Sequence, residues 1–213
     1  VDYRRADVAD ALDGMLHAAD RVQQVHQDLR TFIRGDAPEV TRSKLGDGLR
    51  ATVALFTRRF CDGVTLTLAI DADHAIDCHP GQLNQVWLNL IQNALDAVGS
   101  TGNIRVTSRI VGRNIEVAVA DDGPGVLEDF RSHLFEPFAT TKGVGSGTGL
   151  GLATSYQIIE RHGGRLYYDD AHTSGARFVV ELPIFSVLQP AVEAERICGR
   201  EVRASSVSSI EAS

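Results

Sequence analysis

Trp87-Leu88-Asn89-Leu90-Ile91-Gln92-Asn93-Ala94-Leu95-Asp96-Ala97 sets two asparagines four residues apart in an apolar run. Val86, Leu90, Ala94 and Ala97 recur at steps of four and three, with Leu83 leading in, which is the spacing of a helix. Asn89 and Asn93 then share a second face, and Asp96 lies one turn further along it. Asparagine is a poor helix former because its amide competes for backbone hydrogen bonds, so two on one stripe need a reason. Either both amides are satisfied inside the fold, or they form an oxygen-lined face for a hard cation. Magnesium takes few protein ligands and shares itself with substrate phosphates.

Upstream, Val8, Leu12, Met15, Ala19, Val22, His26, Leu29 and Ile33 form a heptad seam over roughly residues 6–34. Leu16, Val25 and Phe32 widen it toward a helical bundle, so this segment is expected to pair with another helix. Gly35 and Pro38 oppose its continuation. A polar linker is expected over 36–44, then a helix over 45–58 with Leu49, Val53 and Phe56 on one side. Val64–Ile70 alternates as a strand, and Ala75–Cys78 reads as a second, short one. Pro80 suits the first turn of the asparagine helix. Ile104–Val111 and Asn114–Ala120 read as a hairpin across Gly112-Arg113, in a sheet with one covered face. A helix is expected to run to about His162, where Gly163-Gly164 stops it. Strands at Arg165–Tyr168 and Ala176–Leu182 follow, and 184–213 reads as an irregular, serine-rich tail.

The composition narrows the classes. At 213 residues there is room for one good core plus an appendage. A net charge of −7 argues against a nucleic-acid or anionic-membrane surface. Cys61, Cys78 and Cys198 are far apart with no Cys-x-x-Cys pair, which points away from disulfides and zinc and toward a reduced, cytoplasmic compartment. No apolar run approaches the ~20 residues of a membrane span, so no direct membrane contact is expected. The start, Val-Asp-Tyr-Arg-Arg, reads as part of a longer protein.

Two glycine-bearing stretches carry chemistry. Glycines at 143, 145, 147, 149 and 151 run into a helix start, where exposed amides and the positive end of the helix dipole favour an anion. Neither G-x-x-x-x-G-K-[ST] nor G-x-G-x-x-G is present, and the run follows Thr-Thr-Lys142 rather than a strand. Asp121-Asp122-Gly123-Pro124-Gly125 is at minimum a tight turn after a strand. It could also offer Asp121 as acceptor for an exocyclic amine, with Gly123 and Gly125 letting a flat base lie against the backbone.

In this order, the asparagine box, Asp-x-Gly-x-Gly, Leu134-Phe135-Glu136-Pro137-Phe138 and Gly147-Thr148-Gly149-Leu150-Gly151 resemble the ATP-binding catalytic domain of bacterial sensor histidine kinases, within the wider Bergerat-fold ATPases. The resemblance covers about residues 45–183, and Arg21–Arg34 resembles the second helix of the kinase dimerisation domain. It implies an α+β fold, a two-layer sandwich of a mixed, mostly antiparallel sheet under helices, preceded by a long bundle helix at 1–36. It implies ATP and Mg2+ as cofactors, with Asn93 as magnesium ligand and Asn89 supporting the metal or the phosphates. Asp121 would take the adenine amine, and Gly123 and Gly125 would line the base. Phe135 and Phe138 would anchor the ATP lid, Thr141 and Lys142 would lie in it, and Gly147, Thr148, Gly149, Leu150 and Gly151 would wrap the phosphates. The partners implied are a second protomer, making a homodimer through the bundle helix, and the receiver domain of a response regulator.

Two positions depart from the kinase pattern. His17 and His26 lack the acidic residue and proline that follow the phosphate-accepting histidine, so the acceptor is expected upstream of Val1. Cys78-His79-Pro80 stands where relatives often show Gly-Asp-Pro, and His79 reads as a structural substitution at the helix start. Relatives that hydrolyse ATP carry a glutamate one turn before the magnesium asparagine, as general base for water. Here that position is Asn89, which favours phosphoryl transfer, a matter of positioning and charge neutralisation in which Lys142 would assist, over hydrolysis. The alternatives are a nucleotide-sensing module without transfer and a serine kinase of the same superfamily.

Overall fold

The computed structural model describes residues 40–56, 63–71, 73–141 and 148–184. The heptad seam, the serine-rich tail, and Lys142 with Gly143, Gly145 and Gly147 lie outside the described residues.

The elements run β1 (Thr41–Lys44), α1 (Leu45–Phe56), β2 (Val64–Ile70), β3 (Ala75–Cys78), α2 (Pro80–Val98), β4 (Gly102–Val111), β5 (Asn114–Asp121), a 3-10 turn (Glu128–His133), α3 (Gly151–Arg161), β6 (Arg165–Tyr168) and β7 (Arg177–Pro183). The main sheet has the order β2-β4-β5-β7-β6. β2 and β4 pair in parallel, as a crossover through α2 allows, and every other pair is antiparallel. This is the mixed, mostly antiparallel sheet expected.

One face of the sheet makes the core. Ile104 and Val106 of β4, Ile115, Val117 and Val119 of β5, and Val180 and Leu182 of β7 are buried toward the helices. They meet Leu83, Leu90 and Ile91 of α2, and Ile158 and Ile159 of α3. Each fully buried side chain of this size stabilises by about 1.5–3 kcal/mol, which is why the α2 stripe cannot be left exposed. On the other face Arg109 binds both carboxylate oxygens of Glu116 at 3.0 Å, and Arg177 adds a bond of 3.0 Å. The two guanidinium groups cover Glu116, which is buried although it points away from the core.

One expectation is corrected. Residues 41–44, read as part of a polar linker, form β1, which pairs antiparallel with β3 in a separate two-stranded sheet. Thr-Arg-Ser-Lys has no apolar alternation to announce a strand. Its conformation comes from the backbone ladder to β3, a long-range partner that no local pattern reveals.

The asparagine helix is held at both ends. At its start His79 is the N-cap, and its side chain makes no capping bond. The His79 backbone N–H instead donates to His162 Nε2 at 3.1 Å, while the His79 carbonyl accepts from Gln82 and Leu83. At its end Gly99 has a φ of 67° and donates its N–H to the Leu95 carbonyl at 3.1 Å.

Candidate functional site

The face of α2 bearing Asn89, Asn93 and Ala97 touches two other parts of the chain. At its N-terminal end Asn89 is 6% exposed, and Nδ2 donates to the Gly151 carbonyl at 3.1 Å and to Ser155 Oγ at 3.2 Å. Ser155 in turn donates to the same carbonyl at 2.8 Å. A carbonyl can only accept, so the amide nitrogen, not its oxygen, must face α3. At the other end the turn after β5 packs against the helix: a Cβ at Gly123 would lie 3.1 Å from Ala97. Asn93, half-buried, sits midway between these anchors, one turn from each.

The turn after β5 is built around Asp121. It is 5% exposed, and its Oδ1 accepts from the amides of Gly123 (2.9 Å) and Ala176 (3.2 Å). Burial raises its pKa above the ordinary carboxylate value, against the lowering effect of those two amides. Oδ2 has no partner among the described residues and remains available as an acceptor. Asp122 faces outward and binds Asn103 through both oxygens at 2.7 Å, and these bonds lower its pKa. Gly125 has a φ of 73°, and a Cβ there would lie 3.1 Å from the Gly175 carbonyl. The missing side chains of Gly123 and Gly125 therefore first let the turn close on α2 and on the β6–β7 loop.

The loop from Phe138 to Gly149 has its ends pinned together. The Phe138 N–H donates to the Gly149 carbonyl at 2.9 Å, and Gly149, at a φ of 65°, presses on Phe138 so closely that a side chain there would collide with its backbone. Phe135 packs on Tyr156 of α3 with ring centres 5.3 Å apart. Phe138 behaves differently from the paired anchor expected: it is 69% exposed and holds a left-handed backbone, φ 67°, costly for an aromatic residue. Thr141 is exposed at the edge of the described loop. Thr148 Oγ1 accepts from the Leu150 amide at 3.2 Å, and α3 then begins at Gly151 with no side chain capping it. Its first amides are left open to an anion.

This arrangement matches a known family. The chain belongs to the histidine kinase-, DNA gyrase B- and HSP90-like ATPases. Residues 78–186 match that family, which takes in the asparagine helix, the Asp121 turn, the glycine-rich loop and α3. Among curated relatives, sensor histidine kinase ZraS of Escherichia coli O157:H7 is 33% identical over 172 residues, 80% of this chain. The match covers 37% of that relative, so the chain spans about a third of its length. Among solved structures, the catalytic domain of histidine kinase ThkA matches with a TM-score of 0.64 at 31% identity, covering 70% of this chain and 97% of that one. ThkA in complex with response regulator protein TrrA matches with a TM-score of 0.61 at 25% identity, covering 78% of this chain and 48% of that one.

The sequence motifs had singled out Asn89, Asn93, Asp121 and the glycines as candidates. They did not reveal Ser155 or the Ala176 amide, which lie 66 and 55 residues from the groups they bind. The one available signal for Ser155 was its place four residues after Gly151, where a serine hydroxyl commonly bonds back to the backbone. Among the described residues no helix is long and apolar enough to cross a membrane.

Proposed function

We propose that this chain is the ATP-binding catalytic portion of a sensor histidine kinase. It holds Mg-ATP and passes the γ-phosphoryl group to a histidine on a helical segment, for relay to an aspartate of a response regulator. The observation that carries this reading is Asn89. Its nitrogen is committed to the Gly151 carbonyl and Ser155, so a neutral amide stands where the hydrolysing relatives place a general base. Without that base, water is poorly activated, by ~10²–10⁴-fold where such a group acts. An imidazole needs no such help, and transfer to it requires mainly position and neutralised charge.

The described groups suit a magnesium nucleotide. No three His, Cys, Asp or Glu side chains converge as a metal cage among the described residues, so magnesium would take Asn93 and phosphate oxygens. When bound, the ion would neutralise charge on the phosphates. Asp121 Oδ2 would accept from the adenine amine, with Gly123 and Gly125 beside the base. The open amides at the start of α3, from Gly151 on, would receive the phosphates, aided by Gly149, Leu150, Thr141, Lys142, Gly147 and Thr148 in the preceding loop. Response-regulator recognition is supported by the likeness to ThkA, whose complex with TrrA has been solved.

The test is transfer in trans. The chain with Mg-ATP is expected to label a separately supplied helical segment bearing a histidine followed by an acidic residue, and not itself. Label on His17 or His26 of the chain alone would overturn the assignment of the acceptor. Asn93→Ala is expected to abolish labelling while circular dichroism and thermal unfolding stay close to the parent's. Normal transfer by the folded variant would remove Asn93 from the metal site.

A further inference from the structure

Packing alone gives position 155 no need of a hydroxyl. Ser155 is 0% exposed on the buried side of α3, whose next turn fills the core with Ile158 and Ile159. An apolar side chain would serve packing there, and a buried hydroxyl destabilises unless its bonds are made. Both are made. The O–H donates to the Gly151 carbonyl at 2.8 Å, and the oxygen accepts from Asn89 Nδ2 at 3.2 Å, across 66 residues of chain. A helical serine often bonds back one turn, but neighbouring Thr154, 1% exposed, leaves its Oγ1 without a partner. The bonds of Ser155 are therefore not a habit of hydroxyls on this turn.

The contacts close a triangle. Asn89 Nδ2 also donates to the Gly151 carbonyl at 3.1 Å, so its two hydrogens go to two acceptors on α3. The terminal torsion of asparagine is broad, and a single bond leaves the amide plane free to turn. Two bonds fix the plane, and with it the direction of Oδ1. They also tie α2, one turn before Asn93, to the first residue of α3, a helix start with no side chain capping it. We infer that Ser155 is a positioning residue for phosphoryl transfer. By holding the Asn89 amide in one plane it presents Oδ1 to the nucleotide site, and it keeps α2 in register with the amides that receive the phosphates. This role rests on the kinase reading proposed above, since transfer that depends on position loses about 10²-fold for a displacement of about 1 Å.

The test is a double-mutant cycle in the full chain, at a temperature where circular dichroism shows every variant folded. Ser155→Ala removes the hydroxyl without adding bulk. It is expected to slow transfer from Mg-ATP to a supplied histidine-bearing helical segment by about 10- to 100-fold, and to weaken Mg-ATP binding by a smaller factor. In an Asn89→Ala background the same change should alter neither residual transfer nor Mg-ATP affinity, because Ser155 acts through that amide. Equal losses in both backgrounds would make Ser155 a packing residue and overturn the proposal. A second readout needs neither nucleotide nor metal. The Asn89 side-chain amide signals in nitrogen–proton NMR, assigned by their absence in Asn89→Ala, should exchange with solvent about tenfold more slowly in the parent than in Ser155→Ala. Equal exchange would show that the hydroxyl does not hold the amide, and would overturn the proposal whatever the transfer rates. A parent that labels no histidine would remove the kinase reading and the role in transfer with it, while the exchange ratio still reports whether Ser155 holds Asn89.

Discussion

At the scale of single residues, Asn89 and Asp121 each commit one polar atom to the fold and leave the other for the proposed site. The Asn89 nitrogen is spent on α3, so an aspartate there would set a carboxylate oxygen against the Gly151 carbonyl in a buried site. Asn89→Asp is expected to destabilise the fold by about 2–3 kcal/mol, the cost of replacing a buried donor by an unmatched charge, read as a lower urea midpoint. An unchanged midpoint would mean the amide bridge contributes nothing. For Asp121 the opposite holds. Asn in its place keeps an oxygen for the Gly123 and Ala176 amides and turns a donor outward where Oδ2 stood. Asp121→Asn should therefore fold normally and lose ATP affinity by about 10- to 100-fold, the worth of a hydrogen bond to a charged acceptor. Its preference for ATP over GTP should fall with it; an unchanged preference in competition binding would remove Asp121 from base recognition.

At the scale of elements, the start of α2 depends on the end of α3. His162 is 1% exposed and accepts from the His79 backbone N–H through Nε2, while its Nδ1 faces the Ile158 carbonyl at 2.7 Å. Burial lowers its pKa, with a smaller opposing effect from the Ile158 carbonyl and a further lowering from His79, whose ring centre is 5.5 Å away. Protonation would add a charge to the core and a hydrogen where Nε2 must accept. The folded state thus favours the neutral ring. This contribution is fully present above the ordinary histidine value of about 6.5 and is lost as pH falls toward the depressed folded pKa. Thermal unfolding should show a midpoint that drops from pH 7 to pH 5 more steeply in the parent than in His162→Gln, which keeps an acceptor and cannot titrate. Parallel profiles would sink this account. Neighbouring Cys78 has no comparable sensitivity: burial, helped by Asp77, pushes its thiol up to about 11 and keeps it protonated.

At the scale of the whole molecule, the sheet buries one face under helices and satisfies the other with the Arg109–Glu116–Arg177 network. We propose that association rests on the heptad pattern read from the sequence over residues 8–33. The chain is expected to sediment as a dimer at micromolar concentration, and changing Leu12 and Leu29 to Lys together should yield a monomer that still binds ATP. Sedimentation independent of concentration in the parent would count against the seam. Loss of nucleotide binding in the folded double variant would contradict the independence of the two parts.

Most of the elements were legible in the sequence because each is written in local periodicity: the stripe of α2, the alternation of β2, the hairpin turn at Gly112, the glycine stop after α3. Their motifs also led to the proposal that Asn93, Asp121 and the glycine run make one nucleotide site. Tertiary structure decided what depends on contacts between distant residues. It paired Thr41–Lys44 with β3, gave Asn89 to Gly151 and Ser155, and closed the Asp121 turn on Ala176. It also turned Phe138 outward beside Gly149. A helix stripe states which residues share a face. What that face meets is set only when chain segments dozens of residues apart compete for the same buried hydrogen-bonding groups.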